Sequence, residues 1–180
     1  MLIFLTGFMC SGKTTDGRKV AEKLHLPFLD LDEELERLSG MSIWKFIGEK
    51  GVTAFRQMES EILLNTRQML QKELIVSPSA SPRPQAVIAT GGGSVLNPEN
   101  RAFLQQPEHE IIWLNLPFPV LMQRLKTAER PLLQGLTEAE IHRIYSERLP
   151  WYQMTATYQI TAPPVVPKLA SVLRKQITDL

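Results

Sequence analysis

The chain has 180 residues, 43% of them hydrophobic and 22% charged. This is ordinary globular usage, with enough apolar surface to offset the ordering entropy of one compact domain, and it excludes a wholly disordered chain. With 20 Lys plus Arg against 19 Asp plus Glu, the formal net charge is +1. No whole-molecule field gathers nucleic acid or an anionic membrane, so any anion must be held by a local site.

A single cysteine, Cys10, permits no internal disulfide. That fits a reducing compartment, and a cytoplasmic protein is expected. The apolar run Leu2–Leu5 is too short for a signal-peptide core and has no basic region before it. No apolar stretch approaches the roughly 20 residues of a membrane-spanning helix, so no membrane partner is expected.

In chain order, short apolar runs alternate with longer amphipathic segments, the pattern of a mostly parallel sheet covered on both faces. Strands are predicted at Leu2–Thr6, Pro27–Leu31, Ala86–Thr90, Glu110–Leu116 and Thr157–Thr161. Helices are predicted at Lys13–Leu24, Asp32–Ser39, Ser42–Lys50, Thr53–Leu70, Pro98–Gln105, Pro119–Lys126, Glu138–Met154 and Lys168–Ile177. The proline- and serine-rich segment 77–85 has neither period and reads as a surface excursion. In 127–136, Pro131 and Gly135 interrupt two helical patterns around Arg130, and this segment reads as a lid. There is no internal repeat and no second core, so a single domain, 1–180, is expected.

Residues 7–14, GFMCSGKT, match G-x-x-x-x-G-K-[ST] between a predicted strand and a predicted helix, the context this phosphate-binding motif requires. Gly7 and Gly12 permit a tight turn whose backbone amides, from Cys10 and Ser11 through Thr15, close around phosphate oxygens at a helix N-terminus. Lys13 is expected to reach the outer phosphates and the Thr14 hydroxyl to face Mg²⁺. No Asn-Lys-x-Asp stretch occurs, so the guanine-reading element of most GTPases is absent and ATP is favoured.

Four constellations follow at predicted carboxyl ends of strands and nearby helices, where an acceptor would lie. Asp30 and Asp32 close one strand, with helix capping as the alternative role for either. Arg56 opens a long helix, where it either faces an anion or pairs with Glu59 or Glu61. Gly91, Gly92 and Gly93 follow a third strand and expose bare backbone to close approach. Arg148 lies late in a helix, a position the helix dipole alone would also explain.

Together these stretches resemble the shikimate kinase family. The resemblance rests on the phosphate loop with Asp16-Gly17-Arg18, on Phe28-x-Asp30-x-Asp32, and on Gly40-x-Ser42-Ile43 leading through Gly48-Glu49 to Phe55-Arg56-x-x-Glu59. It continues through Thr90–Ser94, Arg130-Pro131-Leu132-Leu133 and Arg148-x-Pro150-x-Tyr152. It implies an α/β P-loop fold of three αβα layers, with a five-stranded parallel sheet in order 2-3-1-4-5 and a small mobile lid. It also implies Mg²⁺- and ATP-dependent phosphorylation of the shikimate 3-hydroxyl, giving shikimate 3-phosphate and ADP in aromatic amino-acid biosynthesis.

By the same resemblance Arg56 and Arg148 hold the shikimate carboxylate, a task suited to planar guanidinium groups. Asp32 orients the substrate hydroxyls, Gly91, Gly92 and Gly93 offer backbone to the ring, and the substrate-binding region spans about 32–61. Asp30 supports Mg²⁺ beside Thr14. Lys13, Asp32 and Arg130 form the catalytic set, with Arg130 closing over the transferred phosphate from a lid at about 126–136. Arg124 and Pro163 flank the adenine, and a monomer is expected. Cys10 departs from the pattern, since the family usually has glycine there. Alternatives are another polyhydroxy-acid acceptor on the same fold, or a nucleotide-binding module without catalysis.

Overall fold

A computed structural model of the chain describes residues 1–72, 85–126 and 131–178. The excursion at 77–84 and the lid residues 127–130 lie outside the described residues. Five parallel strands, β1 (Leu2–Thr6), β2 (Phe28–Asp30), β3 (Ala86–Ala89), β4 (His109–Leu114) and β5 (Tyr158–Ile160), form one sheet. Their order is β2-β3-β1-β4-β5, as the resemblance implies. β1 is central, pairing Leu2–Leu5 with Ala86–Ala89 on one side and Leu2–Thr6 with His109–Trp113 on the other.

Every residue of β1 is buried, which is why it reads as an unbroken apolar run rather than an alternating one. Alternation instead sorts its side chains between two layers. Ile3 and Leu5 join Val20, Leu121, Leu169 and Leu173 beneath α1 (Lys13–Lys23), α5 (Phe118–Leu125) and α7 (Val165–Thr178). Leu2 and Phe4 join Leu35, Phe55, Leu63 and Leu104 beneath α2 (Leu31–Ser39), α3 (Ile43–Lys72) and α4 (Pro98–Leu104). The eighteen-residue α6 (Glu138–Thr155) sends Ile141 into the first layer and Tyr152 into the second.

Most boundaries fall within a residue or two of expectation, and three of the differences have a local reason. The strand predicted through Leu31 stops at Asp30, because the Asp30 carboxylate accepts from the amides of Asp32 and Glu33 and starts α2 there. The two helices predicted on either side of residue 51 are assigned as one span. They nonetheless meet at a break, since Gly51 has φ 83° and ψ 165°. The last helix begins at Val165, ahead of the predicted Lys168, because Pro167 falls in the first turn, where its missing N–H leaves no helical bond unmade.

His109 opens β4 almost fully enclosed, at 5% exposure. Its Nδ1 lies 2.8 Å from the Phe103 carbonyl and its ring packs against Phe4 and Phe103, while Nε2 is buried without a partner among the described residues. Burial is the largest influence and holds its pKa below the usual 6.5, against the opposing pull of the Phe103 carbonyl. The folded chain thus keeps this ring neutral, while the unfolded chain takes up a proton from about pH 6.5 downward. Stability from this group is complete above that pH and is lost as pH falls through the depressed folded value. Urea unfolding at pH 7.5 and 5.5 should show a drop in midpoint that His109→Phe diminishes.

Candidate active site

The phosphate loop leaves β1 at Thr6 and enters α1 at Lys13. Gly7 has φ 143°, and a Cβ there would lie 2.8 Å from the Leu114 carbonyl oxygen and 2.9 Å from Ser11 Oγ. Gly12 has φ 103° and caps α1 without any side-chain bond, so the first amides of the helix face outward as an anion site. Lys13 is buried, and its ammonium donates to the Gly7 and Phe8 carbonyls at 2.9 and 3.0 Å. Ser11 is buried as well, its hydroxyl without a partner among the described residues. Cys10 adopts φ 61°, a left-handed conformation that glycine takes at less steric cost.

Around this loop is a cleft of about 620 Å³ bordered by Cys10, Gly12, Lys13, Thr14 and Thr15. Arg124 also borders it, donating from Nη1 to the Cys10 carbonyl at 3.1 Å. Beside it, burial raises the Asp16 carboxyl above its usual pKa, with Arg124 and Lys19 pulling the other way. Thr14 Oγ1 donates to Asp30 Oδ2 at 2.6 Å, while Asp30 Oδ1 accepts from the Asp32 amide at 2.9 Å. Asp30 therefore both caps α2 and faces the cleft; capping falls to it rather than to Asp32.

A second cavity, of about 400 Å³, opens beside the first and is bordered by Asp32, Arg56, Glu59, Gly92, Gly93 and Arg148. Arg56 Nη1 donates to Glu59 Oε2 at 2.6 Å, and Ser94 Oγ donates to Glu59 Oε1 at 3.0 Å. Of the two roles envisaged for Arg56, the pairing with Glu59 is present, and the guanidinium also lines this cavity. A Cβ on Gly91 would collide with the Glu59 carboxylate, and one on Gly93 with the Arg56 guanidinium. Arg148 is 8% exposed and lies over the Phe8 ring, 5.4 Å from its centroid. Its Nη1 donates to the Gly92 carbonyl at 3.1 Å, and no carboxylate lies within ion-pair distance of it among the described residues.

Asp32 and Gly92 border both cavities, as do Met9, Glu36 and Ile43. Of the expected site residues that are described, Gly7, Ser11, Gly91 and Pro163 border neither cavity; the first three lie in the loops whose neighbouring residues do, whereas Pro163 is exposed in the turn between β5 and α7. Arg130 lies outside the described residues. From the lid segment, Leu132 borders the second cavity. Three further contributors were assigned no role from the sequence. Glu36 accepts from the Ile43 amide at 2.8 Å, linking α2 to the start of α3; Met9 and Tyr152 both pack against Gly92.

A nucleotide-phosphate loop with an acceptor cavity joined to it defines a P-loop phosphotransferase acting on a small molecule. The family model described as shikimate kinase matches residues 9–177. The shikimate kinase of Aquifex aeolicus is 37% identical over 149 residues, which is 82% of this chain and 79% of that protein. The bifunctional shikimate kinase/3-dehydroquinate synthase of Thermotoga maritima is 41% identical over 152 residues, 84% of this chain but only 27% of that longer protein. The shikimate kinase of Acinetobacter baumannii, solved in complex with shikimate, superposes with a TM-score of 0.80 at 34% identity, covering 99% of this chain and 93% of that one. The chain belongs to the shikimate kinase family.

The three glycines give a direct test of the second cavity. Gly91→Ala should force the buried Glu59 carboxylate off its partners, lowering stability by about 1–3 kcal/mol and disturbing Arg56. Urea unfolding together with acceptor kinetics measures both; an unchanged midpoint would show that the loop yields freely.

Proposed function

We propose that this chain transfers the γ-phosphoryl group of ATP to the 3-hydroxyl of shikimate, as a single-domain monomer with an acceptor region at about 32–61 and a lid at about 126–136. The observation that carries this reading is the wall shared by the two cavities. A nucleotide in one and a cyclic acid in the other meet at Asp32 and Gly92. The acceptor's class follows from charge. Arg148 is a nearly buried cation without a carboxylate partner among the described residues, and such a charge is costly unless an anion compensates it. A ligand carboxylate supplies that anion, and a planar guanidinium binds it through paired charge-assisted bonds. The shikimate in the Acinetobacter baumannii structure supports the same class.

Phosphoryl transfer needs the hydroxyl in line with the γ-phosphate and compensation of the spreading negative charge, with little covalent help from protein. Asp32 accepts a hydrogen bond from the attacking hydroxyl and orients it; in a loose transition state that proton leaves late, so no strong base is needed. Lys13 exchanges the Gly7 and Phe8 carbonyls for phosphate oxygens, and the loop amides hold the remainder. Arg130 adds charge from the lid as it closes and excludes water, the competing acceptor.

The donor set suits Mg²⁺. The Thr14 hydroxyl and the Asp30 carboxylate are hard oxygen ligands 2.6 Å apart beside the loop, and this ion typically binds through one or two such groups, waters and nucleotide phosphates. When bound it neutralises phosphate charge. Thr14 and Asp30 would hold it, Asp30 while remaining the cap of α2.

Two substitutions separate these roles. Asp32→Asn should lower turnover with shikimate by about 100-fold or more while ATP affinity, read by equilibrium binding, stays as in the parent; normal turnover removes Asp32 from the mechanism. Asp30→Asn keeps a good helix cap, so unfolding stability should change by no more than about 0.5 kcal/mol. The Mg²⁺ concentration needed for half-maximal rate should nonetheless rise, and an unaltered Mg²⁺ dependence would confine Asp30 to capping.

A further inference from the structure

Tyr152 sits four residues after Arg148 on α6, so the two side chains leave the same face of the helix. Both donate to one oxygen, the Gly92 carbonyl: Arg148 through Nη1 at 3.1 Å and Tyr152 through its hydroxyl in a short bond. A carbonyl has two lone pairs, so this acceptor is filled. The Gly92 peptide also borders both cavities, and a Cβ there would lie 3.3 Å from the Met9 amide nitrogen of the phosphate loop.

We propose that Tyr152 is a positioning residue for the acceptor acid: its hydroxyl fixes the Gly92 carbonyl and, through that shared oxygen, the plane in which Arg148 presents its guanidinium. The proposal rests on the reading of Arg148 as the acid-binding cation. A guanidinium is a rigid fork, so holding one N–H against a fixed oxygen sets the direction of the others. Tyr152 is suited to be the fixed partner. Its ring is buried and stacked on Trp113, with centroids 5.7 Å apart and an interplanar angle of 24°. Burial raises its phenol pKa to about 12, the nearby Arg148 opposing that rise, so it remains a donor throughout the physiological range. No other group on α6 is bonded to Gly92 among the described residues.

The test is Tyr152→Phe, which keeps the ring and its stack and removes only the hydroxyl. The KM for shikimate should rise about 3- to 10-fold, the range expected for one lost buried hydrogen bond, with smaller changes in kcat and in the KM for ATP. The upward shift in unfolding midpoint produced by a fixed concentration of shikimate should shrink in parallel. In Arg148→Lys the KM for shikimate should also rise, and combining the two substitutions should give no more than Arg148→Lys alone. A Tyr152→Phe enzyme that loses stability yet keeps the parental KM for shikimate refutes positioning, as does a double variant whose effects multiply. If Arg148→Lys leaves that KM unchanged, the acid-binding reading fails and the proposal with it, a result distinct from failure at Tyr152 alone. Tyr152→Met, which fills the space without a hydroxyl, carries the same expectations should the phenylalanine variant not fold.

Discussion

The closeness of bare backbone around Gly92 is the constraint on which the site depends. Three successive glycines after β3 let the chain run between the phosphate loop on one side and the Arg56–Glu59 pair on the other. Added Cβ atoms at Gly91 and Gly93 would occupy the space of the Glu59 carboxylate and the Arg56 guanidinium, and one at Gly92 would crowd Met9. The nucleotide cleft and the acceptor cavity therefore share one thickness of peptide. Larger residues would push them apart, and a transferred phosphoryl group tolerates little added distance.

The charges around that peptide are unevenly balanced, and the imbalance has a chemical sense. Glu59 is 3% exposed and answers Arg56 directly, with Ser94 taking its second oxygen. That pair is locally neutral and holds Arg56 in a fixed place. Arg148 instead leans on an aromatic face and a carbonyl, contacts that orient a cation without cancelling its charge. Beside that neutral pair, Arg148 has no carboxylate within ion-pair distance among the described residues, and on the proposed reading it is the group that meets the acceptor's carboxylate.

Much of this was legible in the sequence wherever a backbone requirement narrows the choice of residue. The phosphate loop was readable because Gly7 and Gly12 need positive φ, and the triple glycine because close approach forbids side chains. The sheet was readable because β1 is buried on both faces and so carries no polar residue before Thr6. What was not legible depended on contacts between distant segments. Whether Asp30 or Asp32 caps α2 turns on where the strand's pairing with β3 stops, which is at Asp30, and sequence spacing is silent on that. The last helix was predicted from Lys168 and begins at Val165, since a proline at the first turn and one before it read alike in a chain. Tyr152 was part of the Arg148-x-Pro150-x-Tyr152 stretch, but its bond to the Gly92 carbonyl had no sequence signal, and Pro163, placed by resemblance beside the adenine, lies apart from the phosphate cleft among the described residues.

Cys10 shows how the loop accommodates a departure from that logic. A side chain at φ 61° costs about 1–2 kcal/mol in the left-handed region, which glycine would avoid. Part of that cost is offset where it arises, because the peptide that Cys10 contributes directs its carbonyl to Arg124. Arg124 lies on α5, and α5 is anchored in the core by Leu121 beneath β1. The strained residue is thereby tied to the most rigid part of the sheet. Arg124 accordingly supports the loop's shape as well as bordering the nucleotide cleft, and its guanidinium beside Asp16 keeps that partly buried carboxyl closer to its ordinary pKa than burial alone would leave it. The Arg124 bond acts with those inside the loop, Ser11 N–H to the Phe8 carbonyl and Lys13 to the Gly7 and Phe8 carbonyls, to hold the left-handed turn against the sterics that favour its relaxation.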